Sequence, residues 1–294
     1  MDQAKRVENI LTDVMAVPAR VFRSEAKIIQ NLRRAAIESG DPEVIHDLRV
    51  SIRKVRTAIR MFWPVFSQEA RLLDTPLRDL FHRLGEIRSL DVAISATCTF
   101  SPDVRLEILE RLAELRSAEK AKLVAELSNP CVLDYLSALT NPVSLTPPPG
   151  VTSGRSHPIQ IAHRQARRSY RKVVRFWDGV ELHRLRRRVK RLRYTVEFFK
   201  AEYGTEAKEY ATGLSDLQDG LGKTVDLLAL SKLFSKLERL SRPAAKECKR
   251  QATSMASEAV THKDLVRKAK KKLSGRAWKR LDLRSLSTQK PLAL

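Results

Sequence analysis

Two segments of this chain carry the side chains best suited to chemistry, and that chemistry is anion binding. They are IHDLRVSIRKVRTAIRMF, from Ile45 to Phe62, and LHRLRRRVKRLRYTVEFF, from Leu182 to Phe199. In the first, Ile45, Leu48, Ile52, Val55, Ile59 and Phe62 follow a heptad pattern and form one apolar stripe on a helix. His46, Arg49, Arg53, Arg56 and Arg60 each stand one residue later, except where the stripe ends at Phe62, so they form a second stripe rotated by about 100°. Five basic-capable side chains thus share one helix edge over roughly 21 Å. The second segment repeats the stripe as His183, Arg186, Lys190 and Arg193, with Glu197 where Arg60 predicts a cation.

Such a row repels itself unless a counter-charge is present. A solvated basic face is one reading. The remaining positions of the first helix argue for another, because Val50, Ser51, Thr57, Ala58 and Met61 are small or apolar and suit a helix packed on both sides. The arginines then point into a groove, where an unpaired guanidinium is costly, so the groove is either wet or awaits an anion. The helix before the second segment adds Arg164, Arg168, Arg171 and Arg175 on one face, and Lys27 and Arg34 hold matching positions in the first half. From Arg155 to Arg193 there are 14 Lys or Arg against two acidic residues, a net of +12 out of +22 for the whole chain. Arginine forks suit phosphate oxygens, and their recurrence over several turns suits an extended anion of repeating charge. A linear polyphosphate fits best. Single-stranded nucleic acid fits less well, since few aromatics interleave with the cations for bases to stack on. Duplex binding is better sought in the C-terminal run Arg267 to Lys272.

The elements that must position these stripes are helices. Apolar residues recur at three and four positions nearly everywhere, glycines number only 10, and alternating β-branched runs are few. Helices are expected at about 3–16, 19–39, 42–63, 68–95, 103–128, 130–140, 157–176, 179–202, 205–220, 223–240 and 243–273. The run NPVSLTPPPGVTSGRSHP, Asn141 to Pro158, cannot continue a helix and divides the chain. This gives a first helical repeat with an N-terminal helix over 1–140, a linker at 141–158, a second repeat over 159–285 and a tail at 286–294. The halves are copies at an offset of 137: Asp41 falls on Asp178 as a helix cap, His46 on His183, and Leu77, Leu80, Leu84 and Gly85 on Leu214, Leu217, Leu221 and Gly222. Two repeat-related four-helix bundles are the natural all-α architecture.

With 294 residues and 43% hydrophobic content, the chain can build a sizeable core, which excludes whole-chain disorder. Cys98, Cys131 and Cys248 are far apart with no CxxC pair, as expected of thiols in a reducing compartment. No run approaches a transmembrane helix and the start lacks a signal-peptide core, so a cytoplasmic protein with no membrane partner is expected.

The HxLRxxxRxxRxxxRxF pattern at His46 to Phe62, its partner at His183 to Phe199, and the elements LGEIRSLDV (Leu84 to Val92) and LQDGLGKTVD (Leu217 to Asp226) resemble the CHAD family, the conserved-histidine α-helical domain. The resemblance covers about residues 15 to 285. It implies an all-α fold of two four-helix bundles around a pseudo-two-fold axis. It also implies a basic central channel that binds inorganic polyphosphate, often on polyphosphate granules. Carried onto this sequence, the implied pore residues are His46, Arg49, Arg53, Arg56, His183, Arg186, Lys190 and Arg193, with Arg88 from the first LG element. Arg60, Arg164, Arg168, Arg171, Lys27 and Arg34 join them from the stripe pattern. Val225 and Glu197 depart from the symmetric pattern.

Other signals are weak. His46 and His183 lack a local HxxxH or HxxE partner, so no metal site is expected. His82, His157, His163 and His262 have no repeat partner. Gly222-Lys223-Thr224 resembles the end of a phosphate-binding loop, but Leu217 stands where a glycine is required, and a helix junction is expected there. Asp91, Glu86 and Asp226 are expected to pair with arginines such as Arg88. No nucleophile elbow or paired-acid signature appears, and the chain is expected to be non-enzymatic and without a cofactor; the rival reading is a polyphosphatase or an accessory subunit of one, with Asp91, Glu86 and Asp226 as the carboxylates available to hold Mg²⁺. Nucleic acid is a secondary partner, and the sequence leaves the oligomeric state open.

Overall fold

Asp41 and Asp178, set by the repeat ahead of the two basic helices, both cap them. The Asp41 carboxylate accepts from the Glu43 and Val44 amides at 2.8 and 3.3 Å, and Asp178 accepts from the Glu181 amide at 2.7 Å. These bonds satisfy donors that a helix N-terminus leaves open, and Pro42 adds a fixed φ at the first helical position. The computed structural model describes residues 2–62, 72–138, 158–176, 178–261 and 264–287, and among them every regular element is helical. In chain order these are α1 (Asp2–Glu38), α2 (Pro42–Met61), α3 (Asp74–Ala96), α4 (Pro102–Leu127) and α5 (Pro130–Ala138), then α6 (Pro158–Phe176), α7 (Gly179–Phe198), α8 (Lys200–Phe234), α9 (Arg242–Thr261), α10 (Asp264–Ser274) and α11 (Arg276–Ser287). A short 3-10 turn, Thr97–Thr99, joins α3 to α4. All but the last residue of the expected linker lies outside the described residues, as do His157, His262 and most of the expected tail.

Several boundaries differ from the sequence reading. The expected break near Pro18 is absent: Val17, Val21 and Phe22 are buried on either side of it, so the turns beyond the proline are held by packing. The junction expected at 220–223 is helix interior, with Leu217, Leu221, Thr224 and Val225 buried along α8. The break expected between 202 and 205 is present at Gly204, where φ is 57° and a side chain would be strained, and a further one falls at Phe199, between α7 and α8 and inside the helix expected over 179–202. The long helix expected over 243–273 is two, α9 and α10, and α11 follows at the end of the second repeat, where no helix was expected.

The core explains why α2 and α7 are central. Ile45, Leu48, Ile52, Val55, Ile59 and Phe62 are all buried, and so are Leu182, Leu185, Val189, Leu192, Val196 and Phe199. Each such aliphatic side chain contributes roughly 1.5–3 kcal/mol by leaving water. Ser51, Thr57 and Ala58 are buried as well, because α2 packs against α1, α3 and α7 together. The main core draws on both halves of the chain, and a smaller one joins the far ends of α3, α4, α8 and α9. Helices related by the repeat touch one another: α2 meets α7, α3 meets α8 and α4 meets α9. Phe62 and Phe199, equivalent at the 137-residue offset, meet with ring centroids 6.0 Å apart.

The turn between α1 and α2 is clamped from α4. Gly40 takes φ 61° past the end of α1. Arg116 donates to its carbonyl at 2.7 Å and Lys120 to that of Ser39 at 2.8 Å. A Cβ on Gly40 would lie 2.4 Å from the end of the Lys120 side chain, which is free to shift, so it is the backbone conformation that calls for glycine.

Candidate functional site

Four cations, two from each half, form the centre of the site: Arg49 and Arg53 on α2, Arg186 and Lys190 on α7. Each sits at the border between core and solvent. Arg49 lies against Gly85 of α3, where an added Cβ would be 3.4 Å from its guanidinium. Arg186 lies in the same way against Gly222 of α8, also at 3.4 Å. These two glycines are repeat equivalents, and each removes a side chain where an arginine must cross the neighbouring helix. The Nε of both arginines is buried with no hydrogen-bond partner.

The electrostatics follow from that crowding. Burial, reinforced by Arg53 and Arg186, holds the Arg49 guanidinium down to about 9. Lys190 is pushed down to about 6, first by burial and then by Arg53, Arg186 and Arg49, with Asp226 opposing. Arg186 is lowered by burial, against the pull of Asp226. Its ion pair with that carboxylate is loose, at 3.4 Å. Arg49, Arg53 and Lys190 form no ion pair among the described residues. Positive charges gathered in a poorly hydrated place raise the free energy of the empty site, so Lys190 gives up its proton near neutral pH while the arginines stay charged, and a bound anion would relieve the crowding and restore that proton.

Toward the C-terminal ends of the two stripes the cations are compensated. Arg56 donates to Asp74 at 2.9 Å, and Arg60 reaches the other oxygen of the same carboxylate at 2.9 Å. Arg193 donates to Gln218 at 3.0 Å and to Glu197 at 2.7 Å. Glu197 therefore neutralises its own stripe. At the N-terminal end, His46 is half-buried and His183 exposed. Both imidazoles are held below their ordinary value, first by burial and then by neighbouring arginines, Arg88 for His46 and Arg187 with Arg186 for His183. Arg88 lies 3.5 Å from Glu43. A recess of about 440 Å³ beside Arg193 and Glu197 is bordered by Lys200 and Lys208.

Phe81 is the participant that the sequence reading missed. The guanidinium carbons of Arg49, Arg53 and Arg56 lie 4.4, 5.1 and 5.5 Å from its ring centre. Such contacts contribute about 0.5–1 kcal/mol each when exposed and more when dry. The available signal was spacing: Asp74, Phe81, Gly85 and Arg88 recur at seven, four and three, so they share one face of α3.

The remaining predicted residues lie elsewhere. Lys27 and Arg34 are exposed on α1, and Arg164, Arg168 and Arg171 are exposed on α6. None of these five is among the leading charges acting on Arg49, Arg186 or Lys190. The candidate carboxylates do pair with arginines, though not with Arg88: Asp91 binds Arg116, Glu86 binds Arg83 and Asp226 binds Arg186. His163, passed over in the sequence, is buried and pins α10 to α6. Among the described residues, no group of three or more His, Cys, Asp or Glu is placed to hold a metal. Cys98 and Cys131 are exposed and Cys248 is buried, all as free thiols. No helix among the described residues is long and apolar enough to cross a membrane.

The two arginine-lined helices, their glycine partners and the all-helical frame define a class, and comparison with known proteins agrees. The family model described as "CHAD domain" matches residues 21–235, and the chain belongs to that family. Its fold is similar to the crystal structure of the CHAD domain from the plant Ricinus communis, with a TM-score of 0.75 and 22% identity over 90% of this chain and 92% of that one. It is also similar to PptA from Streptomyces chartreusis, with a TM-score of 0.65 and 12% identity over 87% and 98% of the two chains. No curated protein matches the sequence.

Proposed function

We propose that this protein binds inorganic polyphosphate without transforming it, in a basic passage between its two repeats. The observation that carries the reading is the set Arg49, Arg53, Arg186 and Lys190: two cations from each half, crowded, largely uncompensated, with both arginines seated on repeat-equivalent glycines. A flexible chain of phosphates supplies repeated charge at short intervals, which one isolated phosphate does not, and the arginine forks bind its oxygens by charge-assisted hydrogen bonds. His46 and His183 flank the N-terminal end as neutral donors. Arg56 and Arg193, already paired with Asp74 and Glu197, close the C-terminal ends of the passage. Contacts of repeat-related helices with each other, and of Phe62 with Phe199, are what a pseudo-two-fold axis between the halves would produce. Membership of the CHAD family supports the ligand class and a role at polyphosphate granules.

Affinity measured by calorimetry should fall steeply with salt, because each neutralised phosphate releases counterions. Long-chain polyphosphate should bind at least tenfold more tightly than an equal concentration of orthophosphate, and incubation with Mg²⁺ or Mn²⁺ should leave its chain length unchanged. Equal affinity for orthophosphate would remove the passage, and steady chain shortening would make the protein an enzyme.

A further inference from the structure

The outer face of α6 has a different character from the buried stripes. Ile159, Ala162, Ala166, Ser169 and Val173 face the core, and at 100° per residue Arg164, Arg168, Arg171 and Arg175 lie about 180° from them within an arc of about 60°. In α2 the arginines border the apolar stripe; in α6 they are opposite it. Arg167 and Lys172 flank the row, all six cations are exposed, and the helix contains no Asp or Glu. None of the six forms an ion pair among the described residues. Beside it α10 exposes Lys268, Lys270 and Lys271, with Ala269 and Leu273 buried beneath them.

The two helices are fixed to each other by a buried histidine. His163 Nε2 lies 2.7 Å from the Leu273 carbonyl, and its ring stacks on Trp278 with centroids 3.5 Å apart. Burial pushes the imidazole down to about 4, so the ring is neutral at physiological pH and Nε2 is the protonated nitrogen that donates to the carbonyl.

From this arrangement we infer a second binding surface, separate from the internal site: the α6–α10 face docks the phosphate backbone of a double-stranded nucleic acid without reading its sequence. A rigid, convex ridge of arginines fits a rod of regularly spaced phosphates. The row from Arg164 to Arg175 spans roughly 16 Å, about five base-pair steps. A single strand would want aromatics between the cations. Phe176 stands only at the end of the row, with Arg175 over its ring. A lipid surface would want several apolar side chains along the row, whereas Ile161 is the single exposed large one beside it among the described residues of α6, and Val174, Phe176 and Val180 gather at the corner between α6 and α7.

The test uses the full chain and a random-sequence 20-base-pair DNA duplex, followed by fluorescence anisotropy across a salt series. Replacing Arg164→Gln, Arg168→Gln and Arg171→Gln together should weaken duplex binding tenfold or more. It should also reduce the slope of log affinity against log salt by about three. Polyphosphate affinity and melting temperature should stay within about twofold and 2 °C of the parent, since these side chains are exposed. Lys268→Gln with Lys271→Gln should give a smaller loss of duplex affinity. Duplex affinity unchanged in the triple variant would overturn the inference, as would an equal loss of polyphosphate binding. Tighter binding to vesicles of phosphatidylcholine and phosphatidylserine, per accessible phosphate, than to the duplex would assign the face to a membrane instead.

Discussion

The two halves neutralise their arginine stripes by different means while leaving the same centre largely uncompensated. In the first half a single carboxylate from the next helix, Asp74, holds both Arg56 and Arg60, and Phe81 lies beneath three guanidinium groups. In the second half the counter-charge is on the stripe itself, Glu197, and Gln218 occupies the position equivalent to Phe81. Both halves keep an arginine against a glycine, Arg49 on Gly85 and Arg186 on Gly222. What the repeats share is therefore the part that costs stability when empty. What differs is the part that merely closes the ends. Shared strain points to function, and the differing ends to local packing.

That contrast can be broken most sharply at its centre. Arg49→Ala with Arg186→Ala should lower polyphosphate affinity on the order of 100-fold, the loss of two charge-assisted contacts, whereas Lys268→Ala with Lys271→Ala should cost less than about threefold. Comparable losses by calorimetry would mean a diffuse field.

Next in size is a pH effect. Lys190 faces Arg49 and Arg53 from α2, Arg186 on its own helix and Asp226 from α8, and its folded value of about 6 lies far below the ordinary lysine value. Between these values the unfolded chain holds more protons than the folded one, so the ligand-free protein should gain stability as pH rises through that window. Scanning calorimetry should show the gain, and Lys190→Met should raise the melting temperature at pH 7. Polyphosphate should restore the proton, so affinity should fall with rising pH above 6, by up to about tenfold per unit. A flat profile in the parent would mean that Lys190 is charged in the empty site.

A smaller difference separates the two ends. Phe81→Leu should weaken polyphosphate binding about two- to fivefold by loosening three arginines, while Gln218→Leu should change it by less than about twofold. Least affected should be Gly85→Ala and Gly222→Ala. Their methyl groups reach only ordinary contact distance, and alanine favours the helix by about 1 kcal/mol. Gly85→Leu should instead displace Arg49 and reduce affinity.

Much of this was legible in the sequence because a repeat reports register. One offset paired the caps, the apolar stripes, the arginines and the glycines, and the structure seats Arg49 and Arg186 on those glycines. The counter-charges were less visible, since Asp74 reaches Arg56 and Arg60 across a helix junction rather than along one helix. Phe81 was hidden by its type, because an aromatic beside leucines ordinarily packs in a core. The direction of the α6 row could have been read from its apolar residues, which lie opposite the arginines rather than beside them. The merging of helices across Pro18 and Gly222 could not, because tertiary burial outweighs local propensity there.

The central claim is tested most directly by a crystal structure of the protein with medium-chain polyphosphate at moderate ionic strength. The account predicts one continuous string of phosphate density within hydrogen-bond reach of Arg49, Arg53, Arg186 and Lys190. Phosphates confined to the outer faces of α6 and α10, with those four side chains unliganded, would contradict it.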